Sequence, residues 1–201
     1  KINDLLKHIP NFMYTFGMYE HNNSYSVITE YIHGKTLFEY IKSKDFVFTD
    51  FILIIMQLCL ALQVAQDTCG FIHWDLTPWN IIIQKVSKPV TFDYVISHDK
   101  IYRVRSDLIP VIIDYGKSHV IHDQQHYGFV NPYQTSSIQD VITIILTTVN
   151  QITLDKRLSH DEFSNILKLS NFVAHTEYRK GTFKSAKDLK SFLKNARGYS
   201  E

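Results

Sequence analysis

The pattern of hydrophobic and polar positions divides the chain into short elements of different kinds. Residues 12–19 (FMYTFGMY) and 24–32 (SYSVITEYI) are rich in aromatic and β-branched residues, and the polar cluster EHNN separates them. Such residues favour strands, and a short polar break between two of these runs is typical of a turn. The first thirty residues therefore predict an antiparallel hairpin.

Helical patterning follows this hairpin. Gly34 marks a turn, and the segment after it predicts a short amphipathic helix. Thr49 is then expected to cap a long apolar helix that reaches about residue 67, because Thr is a favoured N-cap residue. Gly70 is expected to end that helix, since glycine adopts the left-handed backbone that commonly follows a last turn.

The middle of the chain predicts strands. The run NIIIQ, residues 80–84, is short and apolar, and the alternating segments TFDYVI and IYRVRS, joined by SHDK, predict a surface hairpin. Residues 110–121 (PVIIDYGKSHVI) begin as an apolar strand that ends at Asp-Tyr-Gly. The glycine allows the backbone to turn where a side chain would clash.

The last part of the chain predicts helices. Residues 137–149 (SIQDVITIILTTV) have a β-branched content that fits a strand as well as a helix, and their length favours the helix. Two more helices are expected across residues 159–173 and 185–195, the second with Ser185 and Asp188 as an acidic variant of the capping box. Together with the strands, these helices predict an α+β fold.

Composition and charge limit the classes of function. A chain of 201 residues fits one domain, or one large lobe with appendages, and a hydrophobic fraction of 45% excludes global disorder. The 21 Lys and Arg residues balance 20 Asp and Glu residues, so binding of nucleic acid through bulk charge is not expected. A local basic groove remains open as an alternative.

Two further features concern the compartment. Cys59 and Cys69 lie one predicted helix length of about 15 Å apart, too far for a disulfide, and free thiols favour an intracellular protein. The apolar run 51–65 is shorter than a membrane span and is interrupted by Gln57 and Gln63. We therefore expect a buried core helix rather than a membrane span.

Three oxygen-bearing side chains stand out as candidates for chemistry. Asp75 and Asn80 lie between the long helix and an apolar strand, and Asp114 ends another apolar strand just before a glycine. If the two strands pair, Asn80 and Asp114 meet at one edge and offer the oxygen ligands that Mg²⁺ prefers. Asp75 would then be free to orient a hydroxyl group and accept its proton.

These residues resemble the catalytic centre of protein kinases. HWDLTPWN, residues 73–80, resembles the catalytic loop H-R-D-L-x-x-x-N, and DYG resembles the metal-binding motif D-F-G. The resemblance implies that Asp75 is the catalytic base, and that Asn80 and Asp114 hold magnesium ions that bridge the phosphates of ATP. It also implies a structural role for His73, packed against the metal motif.

The resemblance extends to neighbouring segments, from about residue 8 to residue 150. SVITEYIHGKTL resembles the hinge, with Thr29 at the gatekeeper position and with the adenine-contacting residues that follow it, Glu30, Tyr31 and Ile32. Asp140, early in an apolar helix, resembles the buried aspartate that braces the catalytic loop; an ordinary helix cap is the equal alternative. The implied protein kinase-like fold has the end of the small lobe and the hinge in residues 1–33 and a mostly helical large lobe in residues 34–201.

Several positions depart from the kinase pattern. Trp74 replaces the arginine that pairs with a phosphorylated activation loop, so no dependence on that phosphorylation is expected. Thr77 replaces the lysine that helps to hold the γ-phosphate in serine/threonine kinases, and no A-P-E motif follows DYG. The 34 positions from Asn80 to Asp114 contain an inserted hairpin at 88–107. The insertion and the tyrosine of DYG resemble haspin, and PVIIDYGKSHV resembles kinases of large nucleocytoplasmic DNA viruses.

The front of the kinase pattern is missing. No glycine-rich loop and no lysine on a V-A-I-K strand precede residue 12, and Lys1 and Lys7 lack the required strand context. The segment DLLKHIPNF resembles the end of the helix that pairs with that lysine. We expect a fragment of a longer kinase that is inactive by itself; the alternative is a lineage that has lost its ATP clamp.

Three functions follow from these observations. The first is an ATP- and Mg²⁺-dependent serine/threonine kinase acting on protein hydroxyls, in the cytoplasm, in a host cytoplasm or in a virion. The second is a pseudokinase that serves as a binding or scaffold module. The third is a small-molecule phosphotransferase of the aminoglycoside or choline kinase type, which also uses a His-x-Asp loop, although TEYIHG and the glycine after Asp-Tyr fit protein kinases better.

Simpler interpretations stand beside these functions. Asp75 and Asn80 can be turn residues, Trp74 and Trp79 can be packing residues rather than a substrate surface, and the ten histidines show no zinc-ligand spacing. The pair formed by Arg103 and Arg105 can bind an acidic partner or simply cover a solvated strand face.

Overall fold

The computed structural model describes residue 3 and residues 6–128, 138–155 and 158–174. The chain divides into two compact units, Lys1–Val141 and Ile142–Glu201, and each is described by itself. Both helices and strands are present, as the sequence predicted for an α+β protein.

The first unit opens with the predicted hairpin. Strand β1 (Thr15–His21) pairs antiparallel with β2 (Ser24–Thr29). The two loop residues, Asn22 and Asn23, have φ angles of 49° and 60°. Positive φ at both loop residues suits the right-handed twist of a tight hairpin, and Asn tolerates this conformation. The expected hairpin is therefore confirmed.

The short helix after the turn at Gly34 is also confirmed. Strand β3 (Lys35–Thr36) leads into α1 (Leu37–Lys42). The Glu39 amide donates to the Thr36 hydroxyl at 3.1 Å, and the Thr36 amide donates to the Glu39 carboxylate at 2.8 Å. This reciprocal capping box satisfies two amides that the first turn of the helix leaves without partners.

The long apolar helix begins earlier than the sequence predicted. Helix α2 (Phe48–Cys69) has Val47 at its N-cap, without a side-chain cap, and Thr49 lies inside its first turn. The predicted Thr49 cap is therefore wrong. Phe48 is buried, and its ring lies 6.1 Å from that of Phe51. Packing of this aromatic residue extends the helix past the preferred capping residue, because packing contributes more to helix stability than local preference.

The end of α2 agrees with the prediction. Gly70 has φ 56°, and its amide donates to the Gln66 carbonyl at 2.8 Å. By length and composition alone the helix is apolar enough to cross a membrane, and 56% of its most apolar window is buried in the structure. The side-chain amide of Gln57 is fully buried and donates to the Leu108 carbonyl at 3.0 Å. These contacts are those of a core helix packed on a sheet.

The sheet beside α2 is longer than the sequence predicted. NIIIQ and TFDYVI join in one strand, β4 (Ile81–Ser97), and the two later segments join in β5 (Lys100–Ile112). The strands pair antiparallel from Ile81 opposite Ile112, with an irregular stretch between Lys85 and Val90. Both strands pack against α2.

The inserted hairpin, residues 88–107, is partly buried. Tyr94 and Val104 are buried, so the prediction of a surface hairpin is wrong at these positions. The Tyr94 hydroxyl donates to the side-chain oxygen of Asn11 at 2.8 Å, and the Asn11 amide group donates to the Pro110 carbonyl at 2.9 Å. Burial raises the pKa of Tyr94 to about 12. The hairpin therefore packs against the segment that precedes β1.

A second small hairpin follows the Asp-Tyr-Gly turn. Strand β6 (His119–His122) pairs with β7 (Gln125–Gly128). The amides and carbonyls of Ile72 and His119 exchange two hydrogen bonds, of 2.8 and 3.0 Å. These bonds tie the start of β6 to the segment just before residue 73.

Two helices close the described part of the chain. Helix α3 (Gln139–Asp155) begins in the first unit and continues in the second, and α4 (His160–Ala174) lies in the second unit. The helices predicted from residues 137 and 159 are therefore confirmed. The helix predicted at 185–195, with Ser185 and Asp188, lies outside the described residues, as does the segment 129–137 (FVNPYQTSS) that follows β7.

Candidate active site

The site is built on the loop that connects α2 to β4, residues 71–80. Its backbone is fixed by Asp140, the second residue of α3, whose side chain is 1% exposed. The amides of His73 and Trp74 donate to the two carboxylate oxygens of Asp140 at 2.6 and 3.0 Å. Trp74 has φ 67°, a left-handed conformation that is uncommon for a bulky residue. Two successive amides converge on one carboxylate, so the bracing role expected for Asp140 is confirmed.

Burial has an electrostatic consequence for Asp140. Loss of water raises the pKa of this carboxyl group, and its hydrogen bonds from the His73 and Trp74 amides oppose the rise. The buried acid and the loop therefore depend on each other, because each supplies the polar partners that the other lacks.

His73 joins the loop to the end of β5. Its imidazole is fully buried, and Nε2 lies 2.9 Å from the Ile113 carbonyl oxygen. The Asp75 amide donates to Nδ1 at 3.3 Å, so we assign the proton to Nε2, which donates to Ile113. This bridge matches the expected structural role of His73, since both ring nitrogens bind backbone groups.

Asn80 links the loop to itself and to β5. Its side-chain amide donates to the Asp75 carbonyl at 2.9 Å, and its backbone carbonyl accepts from the Ile113 amide at 3.0 Å. The first bond uses the nitrogen of the side chain and leaves its oxygen for another partner. Pairing of Ile81 with Ile112 places Asn80 and Asp114 at the same end of the β4–β5 pair, as the sequence predicted.

Asp114 stands at a sharp turn after β5. It has φ 62° and ψ 74°, and its carboxylate accepts the Gly116 amide at 3.2 Å. Aspartate tolerates the left-handed region better than most residues because its short side chain bonds to the nearby backbone. The turn continues through Tyr115–Lys117, and Asp114 is exposed.

Tyr115 anchors this turn. Its hydroxyl lies 3.1 Å from the Met13 carbonyl and 3.0 Å from the Ile112 carbonyl. Its ring meets those of Phe71 and His73 edge to face, with centroids 6.3 and 6.2 Å away. Burial raises the pKa of Tyr115 above its ordinary value. The tyrosine thus holds the Asp-Tyr-Gly turn against the loop that carries Asp75.

Asp75 has a partner that sequence reasoning missed. The Lys117 ammonium lies 3.0 Å from Oδ2 of Asp75, and the two side chains are 58% and 34% exposed. The pair joins residues 42 positions apart, so local pattern did not indicate it. The signal that was available is the lysine directly after DYG, at residue 117.

The residues of the predicted hinge have different environments. Thr29 ends β2, and the Glu30 amide donates to the Tyr14 carbonyl at 2.9 Å. Tyr31 is 81% exposed, whereas Ile32 is buried with a cluster that includes Ile113, the residue before Asp114. The structure therefore brings Ile32 beside the Asp114 segment and leaves Tyr31 facing solvent.

A cavity of about 470 Å³ lies next to this segment. Glu30 and Ile32 line it together with Phe12 and Val111, and its lining includes neither Asp75 nor the two candidate metal ligands. Lys7, which is exposed in a turn, also lines the cavity. Lys1 lies outside the described residues. The cavity lining thus includes two of the predicted hinge residues and none of the three oxygen-bearing candidates.

The oxygen groups at the site suit a hard cation. The side-chain oxygen of Asn80 and the carboxylate of Asp114 are hard ligands, and no group of three His, Cys, Asp or Glu residues suited to a metal occurs among the described residues. Mg²⁺ commonly uses one or two protein ligands and completes its shell with water and phosphate oxygens. The donor set fits that ion better than zinc.

The structure bears on the simpler interpretations of Trp79 and Arg103. Trp79 stacks on Phe38, with ring centroids 4.7 Å apart, which supports packing. Arg103 forms bonds of 2.7 and 2.8 Å with the carboxylate of Asp93 on the neighbouring strand, and this contact lowers the pKa of Asp93. Arg103 and Asp93 are both exposed, as expected for a solvated strand face.

Comparison with known proteins gives several relatives from invertebrate iridescent viruses. No family model matches the chain. The chain is 37% identical over 235 aligned positions, 98% of its length, to the uncharacterized protein 179R of Invertebrate iridescent virus 6. It is 28% identical, over 86% of its length, to the uncharacterized protein 035R of Invertebrate iridescent virus 3. The chain spans 19% of the length of each of these two relatives.

A third relative carries a functional name. The chain is 36% identical over 119 residues, 59% of its length, to the probable kinase 098L of Invertebrate iridescent virus 3, and the match covers 22% of that protein. The chain is thus related to iridescent virus proteins, one of which is named a probable kinase.

Proposed function

We propose that the chain belongs to a phosphotransferase with the protein kinase-like fold, which moves the γ-phosphoryl group of ATP to a serine or threonine hydroxyl of a protein. Residues 1–33 would be the end of the small lobe and the hinge, and residues 34–201 the large lobe. The relationship to a probable kinase supports the general activity. The arrangement of Asp75, Asn80 and Asp114 supports the mechanism.

One observation carries the proposal. The loop of Asp75 and the turn of Asp114 are joined by two independent hydrogen bonds, from the His73 ring to the Ile113 carbonyl and from the Ile113 amide to the Asn80 carbonyl. A transfer reaction gains rate mainly from fixed positions of the reacting groups and of nearby charges. A loop that served only as a turn would not need these connections.

The chemistry assigned to Asp75 is that of a general base. The substrate hydroxyl oxygen attacks the γ-phosphorus and forms a new P–O bond. The bond from that phosphorus to the β,γ-bridging oxygen breaks, and ADP leaves with the electron pair. The hydroxyl proton passes to the Asp75 carboxylate, which is 34% exposed at its side chain and therefore accessible to a substrate.

The other assigned residues bind and position. Asn80 and Asp114 would hold Mg²⁺, and the ion would supply positive charge for the phosphate oxygens. Thr29, Glu30, Tyr31 and Ile32 would form the hinge beside the adenine ring, with Ile32 already packed near Ile113.

The test uses the full-length protein, labelled ATP with Mg²⁺, and a mixture of casein and histones as acceptors. Asp75→Asn should lower transfer by about 10²- to 10⁴-fold, because the amide cannot accept the proton. The matched control is Asp99→Asn, in the exposed β4–β5 turn, which should leave transfer unchanged.

Three results would contradict the proposal in different ways. Transfer to choline or an aminoglycoside, without transfer to protein, would indicate a small-molecule phosphotransferase. ATP binding without any transfer would indicate a scaffold. Equal protein phosphorylation by wild type and Asp75→Asn would remove Asp75 from the mechanism.

A further inference from the structure

We propose that Lys117 binds the γ-phosphate of ATP. It would thereby take the role of the lysine that serine/threonine kinases carry where this chain has Thr77. The inference rests on the proposed function, because it assigns a ligand to a residue beside the same candidate base. The observation behind it is different from the one that carries the proposed function: the Lys117 ammonium lies 3.0 Å from Oδ2 of Asp75.

Lys117 is held near Asp75 by backbone contacts as well as by the ion pair. Its turn begins at Asp114, and the Ser118 amide donates to the Tyr115 carbonyl at 3.0 Å. Two residues after Lys117, His119 exchanges hydrogen bonds with Ile72. The lysine stem therefore starts from a backbone that is fixed on both sides, next to the loop of Asp75.

The charge distribution favours this lysine for phosphate binding. Residues 70–84 contain no lysine or arginine, and residues 110–121 contain Lys117 alone. A γ-phosphate placed for attack beside Asp75 would add negative charge next to a carboxylate, which costs energy unless a cation is near. Lys117 supplies that cation, since its ammonium can contact the carboxylate and a phosphate oxygen together.

The ion pair is a weak source of stability. A pair exposed to this degree contributes little to the stability of the fold, because water and salt screen the attraction. The lysine can therefore turn toward a phosphate without loss of the fold. Removal of its charge should change phosphate recognition and leave thermal stability nearly unchanged, which distinguishes the two roles.

The decisive experiment compares ATP with ADP in the full-length protein. In Lys117→Met the affinity for ATP should fall about tenfold, while the affinity for ADP, which lacks the γ-phosphate, should stay the same. Phosphate transfer should fall about a hundredfold, the usual loss when one donor to a developing negative charge is removed. Lys117→Arg should retain most of the affinity, and Lys44→Met, an exposed lysine on another loop, should behave as wild type.

A second variant tests the replacement itself. Thr77 belongs to the same loop, and its amide donates to the Asp75 carbonyl at 2.8 Å. Thr77→Lys combined with Lys117→Met should restore at least a tenth of wild-type transfer and the preference for ATP over ADP.

The two proposals fail in different ways. An unchanged ratio of ATP to ADP affinity in Lys117→Met overturns the assignment of Lys117, whatever the activity of the wild type. A wild type that transfers no phosphate but prefers ATP to ADP through Lys117 overturns the proposed function and retains the assignment.

Discussion

The brace between Asp140 and the candidate catalytic loop gives the sharpest test of how the site is held. Asp140→Ala removes both acceptors of the His73 and Trp74 amides, which lie 67 and 66 positions away in sequence. Alanine fits the second position of a helix, so the helix itself should persist. The effect is then confined to the loop and its packing.

The magnitude follows from the hydrogen bonds. Each amide loses a bond to a charged acceptor, worth about 1.5–3 kcal/mol, so the two together cost about 3–6 kcal/mol. Removal of a buried carboxylate also relieves its own loss of hydration, which offsets part of that sum. We expect Asp140→Ala to lower the free energy of unfolding by about 3 kcal/mol. Asp140→Asn should cost about half as much, because its amide oxygen still accepts one bond.

The assay is urea unfolding followed by tryptophan fluorescence. The chain has two tryptophans, Trp74 and Trp79, and both lie in the loop that Asp140 braces, so the signal reports the loop directly. The control is Asp161→Ala, since Asp161 is also the second residue of a helix but is exposed. Its loss should cost about 0.5 kcal/mol, the helix-dipole contribution alone. An equal effect of both alanine variants would refute the reasoning.

Three further predictions concern other contacts of the first unit. Tyr115→Phe should lower the free energy of unfolding by about 1 kcal/mol, measured by urea titration, because it removes the one hydroxyl proton that the Met13 and Ile112 carbonyls share. Gly34→Ala should cost about 2 kcal/mol in the same assay, since a Cβ would overlap a β4 carbonyl oxygen, whereas Gly17→Ala has open space and should cost much less. Burial and the neighbouring His126 lower the pKa of His119, so wild type should lose stability relative to His119→Gln as the pH falls below about 6.5, which thermal melts at pH 5 and pH 7.5 would measure.

Local signals predicted the elements whose stability is local. The β1–β2 hairpin and the capping box of α1 follow from residues within a few positions of each other. The start of α2 did not follow, because burial of Phe48 decides it rather than the capping preference of Thr49. The long β4 strand was missed because Pro89 and its polar neighbours resemble a break, and proline is tolerated there in an irregular stretch of the pair.

The candidate site also has residues that the sequence indicated and one contact that only the folded chain shows. Asp75, Asn80 and Asp114 were proposed from residue type and order along the chain, and hydrogen bonds join the two segments that carry them. Lys117 was missed because its partner lies 42 positions away, and only the folded chain shows the contact. The sequence therefore indicated the residues that belong to the kinase pattern, and it did not indicate the contact of Lys117 with Asp75, which lies outside that pattern.

Antiparallel pairing explains how the site accommodates the long insertion between Asn80 and Asp114. Asn80 and Asp114 are 34 positions apart, yet antiparallel pairing from Ile81 opposite Ile112 returns the chain to its starting point. Residues added at the far end of such a hairpin lengthen both strands and leave the paired ends where they were. The hydrogen bonds of Ile113 with His73 and Asn80 close the same end of the pair. The geometry of the site thus depends on the first residues of the β4–β5 pair. Shortening the hairpin only beyond Tyr94, whose hydroxyl bonds to Asn11, should therefore spare the site more than any change at its base.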